Sequence, residues 1–452
     1  MDTGIMEANS QNSVTEVGYA SSNIMIHDAI HGSYYLPDIA WMIIDTPIFQ
    51  RLRKIKQTAN TVYVYPGAEH TRFQHCLGVA YLSLEFGKAI KLKYADLITD
   101  HQILLLCLAG LCHDLGHCAY SHLYDSHIIP LFNSLESSGS ESSGSKPEEP
   151  SEPSGTSIAT ISCHEEASFL LIEKLHDELD LDLSDNDIRI IGKMIFGSES
   201  KLPSSLRTKL KWSEEEHTNQ YLFEVVSNSR TGIDVDKFDY LKRDSHYTGI
   251  PCTFDPQRLM AFFSIIKSNG KYLIEYPRKS EIINSMWLSR DELHRRAYQH
   301  RVVKCIDLMT SDMIVACKDA EIIPGYTLRN AHHNLDAYLV LTDAKIMALA
   351  EKVPEANAIL KKIEKRELWR TLATVYSSKI LDFKFSDTCV RTACADFKDG
   401  YVYYIYYTSQ SSVHPHYAAI TFLIELVSQA KGESIKLREE EDMADLLSHL
   451  FT

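Results

Sequence analysis

The sequence predicts a mainly α-helical fold with a small α+β lobe at the C-terminal end, and three observations predict it. Apolar residues recur at helical spacing through most of the chain. A continuous apolar run, Ile103-Leu104-Leu105-Leu106-Cys107-Leu108-Ala109-Gly110-Leu111-Cys112, reads as a buried helix. Near the end, Tyr401 to Thr408 alternates aromatic and β-branched residues as a strand does.

The elements follow in order. Met1 to Ser22 is polar and lacks the basic-then-apolar order of a signal peptide, so residues 1–22 are expected to be a disordered tail. Ile24 to Leu36 reads as a short hairpin turning near His31-Gly32. Asp45-Thr46-Pro47 is a helix-start signal for Ile48 to Gln57. Arg72-Phe73-Gln74-His75 lies in a helix-like run, and His164 opens an amphipathic helix that continues through Phe169 to Leu179. Arg290 to Ala316 also reads as helix. So does Ala344 to Leu372, as two helices divided at Pro354. From Ser134 to Ser157 the chain is Ser, Gly, Glu and Pro, with five glutamates against one lysine. Such a stretch cannot bury enough surface to fold, so residues 134–160 are expected to form a disordered acidic insertion, either passive or a lid. The expected organisation is a main helical domain over residues 23–380 and a small α+β lobe over residues 381–452.

Composition narrows the function. A chain of 452 residues can bury a large core, and 44% hydrophobic with 24% charged residues is ordinary for a soluble globular protein. No run of about twenty apolar residues predicts a membrane span. A net charge of −15 argues against gripping long nucleic acid by its phosphates, so single-stranded nucleic acid is not indicated as a partner. Ten cysteines without a close CxxC pair favour reduced thiols in the cytoplasm or nucleus. Cys112 and Cys118 read as small core residues. Lys361-Lys362-Ile363-Glu364-Lys365-Arg366 is basic but sits in a helical run, a weak nuclear signal.

The chemistry centres on His113-Asp114-Leu115-Gly116-His117. An adjacent His-Asp pair offers one metal ion a nitrogen and an oxygen, and His117, at i+4, is expected on the same helix face as His113. A lone His-Asp dipeptide is usually accidental. Here His75, His113, Asp114 and Asp236 would complete a set of two nitrogens and two oxygens, which suits iron, manganese or zinc better than magnesium alone. Arg72 offers a fork that matches phosphate oxygens, and Lys237 follows Asp236. Tyr240 and Asp244 stand one and two turns beyond Asp236. Phe238 and Leu241 beside them suggest a partly buried face rather than a solvated one. His117, His122 and His164 remain for proton transfer and are not ranked by the residues alone. Arg290, His294 and Tyr298 share one helix face.

The order H…HD…H…H…D resembles the HD-domain metal-dependent phosphohydrolases. Three longer segments narrow the likeness to the SAM-and-HD-domain dNTP triphosphohydrolases: Ile44-Asp45-Thr46-Pro47-Ile48-Phe49-Gln50-Arg51-Leu52-Arg53, Asp234-Val235-Asp236-Lys237-Phe238-Asp239-Tyr240 and Leu293-His294-Arg295-Arg296-Ala297-Tyr298-Gln299-His300. The resemblance runs from about Ile26 to about Arg370, and no SAM domain is expected to precede it. It implies a helical HD-domain core that cleaves deoxynucleoside triphosphates to deoxynucleoside and inorganic triphosphate. Water attacks the α-phosphorus and the sugar 5′-oxygen leaves. It implies phosphate contacts from His117 and His164, and a proton for the leaving oxygen from His122, assisted by Asp125. Gln57 and Asp244 would meet the 3′-hydroxyl and Tyr298 the sugar ring, with Gln299 beside it. The family uses a leucine with that tyrosine to exclude a 2′-hydroxyl, and Thr58 stands at the leucine's position.

The resemblance also implies magnesium with the nucleotide, activation by GTP or dNTP, and a homotetramer or homodimer. Asp45, Gln50, Arg53 and Arg366 match a guanine-nucleotide activator site, with Ile24 where a basic residue is usual. His300 and Arg301 fall in a second activator site, where His27 replaces an asparagine and Arg301 a lysine. Two other readings stay open. One is an HD-type phosphodiesterase or nuclease, which basic and aromatic residues along an open groove would favour. The other is a nucleotide-sensing or nucleic-acid-binding protein with a relic site, which lost ligands would favour.

Overall fold

Asp28 makes the first turn. Its carboxylate accepts the backbone N–H groups of Ile30 (2.7 Å) and His31 (3.0 Å), and Gly32 follows at φ 74°, a backbone angle that suits glycine. Strands Ser21–Asp28 and Gly32–Pro37 therefore pair antiparallel, with Asp28 opposite Gly32. The computed structural model describes residues 21–139, 160–277, 280–382, 390–397, 400–407, 429 and 434–437. Ser21 and Ser22 thus belong to a strand and not to the expected tail, whose residues 1–20 lie outside the described residues.

Thr46 caps the next helix as its sequence predicts, but Pro47–Gln50 and a tighter turn at Arg51–Lys54 replace the helix expected to run to Gln57. The reason is local pairing. Arg72 N–H donates to Ile55 O (3.0 Å) and Gln57 N–H to His70 O (3.0 Å), so these residues spend their backbone groups on a neighbouring segment.

Two long helices form the centre of the core. α1 (Arg72–Lys93) and α2 (Asp100–Cys112) lie side by side, each started by a capping box, Thr71 with Gln74 and Thr99 with Gln102. α3 (His164–Leu179) packs beneath the turn that follows α2, where Gly116 leaves no room for a side chain against the His164 carbonyl. α4 (Val235–Thr248) crosses α1 and is started by Asp234, which accepts from Lys237 N–H. α5 (Glu281–Leu293) runs into a wide turn at His294–Tyr298, and α6 (Arg301–Ala316) begins after it. The expected single helix over Arg290 to Ala316 is therefore broken, because the His300 ring caps Val302 N–H (3.2 Å) and restarts the helix.

The acidic insertion also begins later than expected. Helix Ile129–Gly139 carries its first residues, since Ile129 and Phe132 are buried and Leu135 packs on the core at helical spacing. Residues 140–159 lie outside the described residues. At the far end, Asp343–Ala350 and Pro354–Glu364 divide at Pro354 as predicted, but the helix does not reach Leu372. Arg366 takes a left-handed φ of 56°, and the chain enters strand Arg370–Ser377. The C-terminal sheet thus begins before residue 381. Its strand order is Ser434–Leu437, Arg370–Ser377, Gly400–Tyr407, Val390–Phe397, all antiparallel. Thr408, expected in the third of these, lies outside the described residues. Ala393 and Tyr406 of the sheet pack with Cys305, Ile306 and Met309 of α6. Cys112 and Cys118 are buried, as expected. Among the described residues no helix is long and apolar enough to cross a membrane.

Candidate active site

Three elements converge on one acidic cup. α1 brings Arg72 and His75, the turn after α2 brings His113 and Asp114, and the first turn of α4 brings Asp236. His75 Nδ1 is held by Asp239 Oδ2 (2.7 Å), and His113 Nδ1 by Gly110 O (2.8 Å). Each ring therefore turns Nε2 inward, and the two Nε2 atoms stand 3.2 Å apart. Asp236 Oδ1 lies 3.1 Å from the first and 3.5 Å from the second. Asp114 Oδ2 is 3.4 Å from His75 Nε2, and Asp114 Oδ1 is 3.4 Å from His113 Nε2.

The two Nε2 atoms face each other among carboxylate oxygens, where either a shared proton or a metal ion can sit, and a mixed nitrogen and oxygen set suits a divalent transition metal. Burial alone would raise the Asp114 carboxyl, but Arg72 and His113 beside it hold it well below the usual carboxylate range. Burial likewise opposes charge on His75, yet Asp236 and Asp239 push it up to about 10. A proton and a cation therefore compete for this cup.

The expected i, i+4 relation of His113 and His117 on one helix does not hold. α2 ends at Cys112, and residues 113–116 form turns closed by Leu115 N–H to Cys112 O (3.0 Å) and His117 N–H to Asp114 O (3.1 Å). Buried Arg51 fixes this path by donating to His117 O (2.7 Å) and Leu115 O (2.5 Å). Arg51→Met leaves both carbonyls without that partner. At roughly 1–3 kcal/mol for each, we expect a loss of about 2–6 kcal/mol, read as a lowered midpoint of thermal or denaturant unfolding.

Beside the cup stands a histidine cluster. The His117 and His164 rings stack at 3.8 Å with 13° between planes, and His122 meets His117 edge-on at 4.8 Å. His164 Nδ1 binds Asp125 Oδ2 at 2.5 Å, so the structure pairs Asp125 with His164, not with His122 as expected. Burial opposes charge on His164, but Glu165 and Asp125 raise it to about 9. Burial, then Arg72 and His164, push His122 down to about 4 and His117 well below its ordinary value. His117 Nδ1 is buried without a hydrogen-bond partner, and its Nε2 stands 3.4 Å from Asp114 Oδ1.

Cup and cluster open on one cavity of about 1170 Å³. Of the residues singled out in sequence, Gln57, Arg72, His113, Asp114, His122, His164, Asp236, Lys237, Tyr240, Asp244, Arg290, His294, Tyr298 and Gln299 line it. In the cavity wall, Asp244 is fixed on both oxygens, by His70 Nε2 (2.6 Å) and by the Tyr298 hydroxyl (2.5 Å). Gln57 Oε1, Thr58 Oγ1 and Gln299 Oε1 are buried there without partners, as is Arg290 Nε. Polar atoms of this kind await a ligand or water.

Asp45, Gln50, Arg53, His300, Arg301 and Arg366 lie outside the cavity lining. Arg53 Nε donates to Gln50 Oε1 (2.7 Å) with its guanidinium over the Phe73 ring, and Arg366 donates to Tyr63 O (2.7 Å). Sequence reasoning missed Arg51, His70 and Asp239. Only Arg51 and Asp239 fell inside quoted segments, and nothing in their spacing marks their partners.

The HD domain family matches residues 72–242, which span the cup, the cluster and most of α4. The deoxynucleoside triphosphate triphosphohydrolase SAMHD1 of Bos taurus is 34% identical over 366 residues, covering 76% of this chain and 58% of that protein. The Homo sapiens protein of the same name is 34% identical over 384 residues, covering 80% and 57%. The SAMHD1 homolog of Dictyostelium discoideum is 30% identical over 374 residues, covering 81% and 63%. The chain thus spans less than two thirds of the length of these relatives. With the motif order, the cup and these likenesses together, residues 72–242 of the chain are an HD domain, and the chain is similar over most of its length to the SAM-and-HD-domain dNTP triphosphohydrolases.

Proposed function

We propose that this chain hydrolyses deoxynucleoside triphosphates to deoxynucleoside and inorganic triphosphate. The observation that carries the reading is one cavity that brings together a metal-type cup, a histidine cluster and buried polar atoms without partners. His75, His113, Asp114 and Asp236 would hold iron, manganese or zinc, with magnesium entering on the nucleotide. A divalent ion there lowers the pKa of a water and neutralises charge on the phosphates.

The chain's own residues do the rest. Arg72, Lys237 and Arg290 place positive charge along the cavity for the triphosphate. His164, held as a cation by Asp125, contacts the phosphates, while His117, fully buried and outside the cavity lining, stacks on that ring and does not reach them. His122 gives its proton to the departing 5′-oxygen. Its pKa is low in the free site, and the entering triphosphate, a concentrated negative charge, raises it. Asp244, clamped by His70 and Tyr298, and Gln57 meet the sugar 3′-hydroxyl, while Tyr240 and His294 complete the wall.

We extend the reading to activation by GTP or dNTP through Asp45, Gln50, Arg53, His300, Arg301 and Arg366, and to assembly of copies around those nucleotides. What supports both is the match of these residues to the activator positions that the resemblance implies. The test is turnover of each dNTP after chelator treatment, then after adding manganese or iron, with and without GTP. Free deoxynucleoside with intact triphosphate, dependent on metal, supports the reading. Turnover untouched by chelation overturns the metal assignment.

Thr58 bears on specificity. The residue lines the cavity, and its hydroxyl, buried without a partner, is the group that would accept from or donate to a ribose 2′-hydroxyl. Thr58→Leu removes that partner and adds bulk. We expect the ratio of kcat/KM for dATP over ATP to rise by about tenfold or more, measured by competition between the two. An unchanged ratio removes Thr58 from sugar recognition.

A further inference from the structure

The N-terminal hairpin reaches the metal cup through a buried chain of hydrogen bonds. His31 sits at the hairpin turn, and its Nε2 lies 2.7 Å from Asp239 Oδ1. Asp239 is fully buried on α4, three residues after Asp236, and its Oδ2 lies 2.7 Å from His75 Nδ1. Arg243 completes the carboxylate's shell, with Nε 2.8 Å from Oδ2 and Nη2 2.8 Å from Oδ1, and it also reaches Asp28 Oδ2 in the hairpin at 3.0 Å. The fold makes room for this group at Gly78 of α1, where any side chain would collide with Asp239 Oδ1 and crowd Arg243 Nη2. The hairpin is seated by Tyr34 stacked on Tyr81 of α1 at 4.4 Å.

We infer that Asp239 and His31 are positioning residues of the metal centre: Asp239 takes the Nδ1–H of His75 and so turns Nε2 toward the cation, and His31 fixes Asp239 from the hairpin. An imidazole ligand needs this help because its two nitrogens exchange roles freely, and a carboxylate on one fixes the other as the donor to metal. The inference rests on the metal reading above.

The experiment measures manganese binding by the purified chain of residues 1–452, in competition with a chromophoric chelator, with circular dichroism to check folding. Asp239→Asn is expected to weaken binding by about 10–100-fold. His31→Ala is expected to weaken it to a lesser degree. His31→Gln, whose amide N–H can stand where the imidazole N–H stood, should restore it. Wild-type affinity in both Asp239→Asn and His31→Ala overturns the inference while leaving the metal reading intact. Equal losses in His31→Ala and His31→Gln also overturn it, because His31 then serves only the hairpin. Should Asp239→Asn fail to fold with Arg243 left to Asp28 alone, the His31 pair decides alone. No manganese binding by the wild type overturns the metal reading itself, and this inference with it.

Discussion

Exchanging His113 and Asp114 together for alanine is expected to abolish hydrolysis of deoxynucleoside triphosphates. The two residues supply one nitrogen and one carboxylate to the same cup, and Asp114 also anchors Arg72. Loss of a single preorganised charge stabiliser costs on the order of 10²–10³ in kcat. The double exchange removes two at once and leaves Arg72 buried without its carboxylate, so turnover should fall below detection. Metal content measured on the same sample should fall with it. The unfolding midpoint separates this from collapse of the fold, since His113 and Asp114 lie in turns beyond the end of α2. A folded, metal-depleted variant with wild-type turnover would place the chemistry elsewhere.

The second large effect separates the histidines. His122→Ala is expected to lower kcat by about 10²–10⁴-fold, the usual worth of a general acid, with KM little changed. Asp125→Asn acts through His164, which its carboxylate holds at 2.5 Å. Without that carboxylate the ring loses a main support of its charge. A weaker cation binds triphosphate less well, so the effect should fall chiefly on KM. Steady-state kinetics on one dNTP reads both. If Asp125→Asn and His164→Ala depress kcat as deeply as His122→Ala while KM holds, the proton donor is the His164–Asp125 pair and His122 is only a wall.

Much of the site was legible in sequence because its residues sit in short, chemically distinctive runs. His113-Asp114 and Asp236-Lys237 declare metal and phosphate chemistry by residue type, and the stripe Asp236, Tyr240, Asp244 is a true helical face of α4. What was not legible depends on distant pairing. The run ending at Cys112 looked able to continue to His117, but Arg51, more than sixty residues upstream, takes the carbonyls of Leu115 and His117 and stabilises turns instead. Asp125 stands nearer in sequence to His122, yet the fold delivers it to His164 on another helix. The helix expected to reach Leu372 stops because Arg366 turns left-handed and the following residues find strand partners around 400–407. In the two helix cases local periodicity was right about propensity, and a contact far along the chain decided where the element ended.

The most direct test of the central claim is to run the reaction in ¹⁸O-labelled water with manganese and one dNTP, and to locate the label by mass spectrometry. Attack of water on the α-phosphorus predicts one labelled oxygen in intact inorganic triphosphate and an unlabelled deoxynucleoside. Label in the deoxynucleoside hydroxyl, or pyrophosphate or orthophosphate as the primary product, would contradict it.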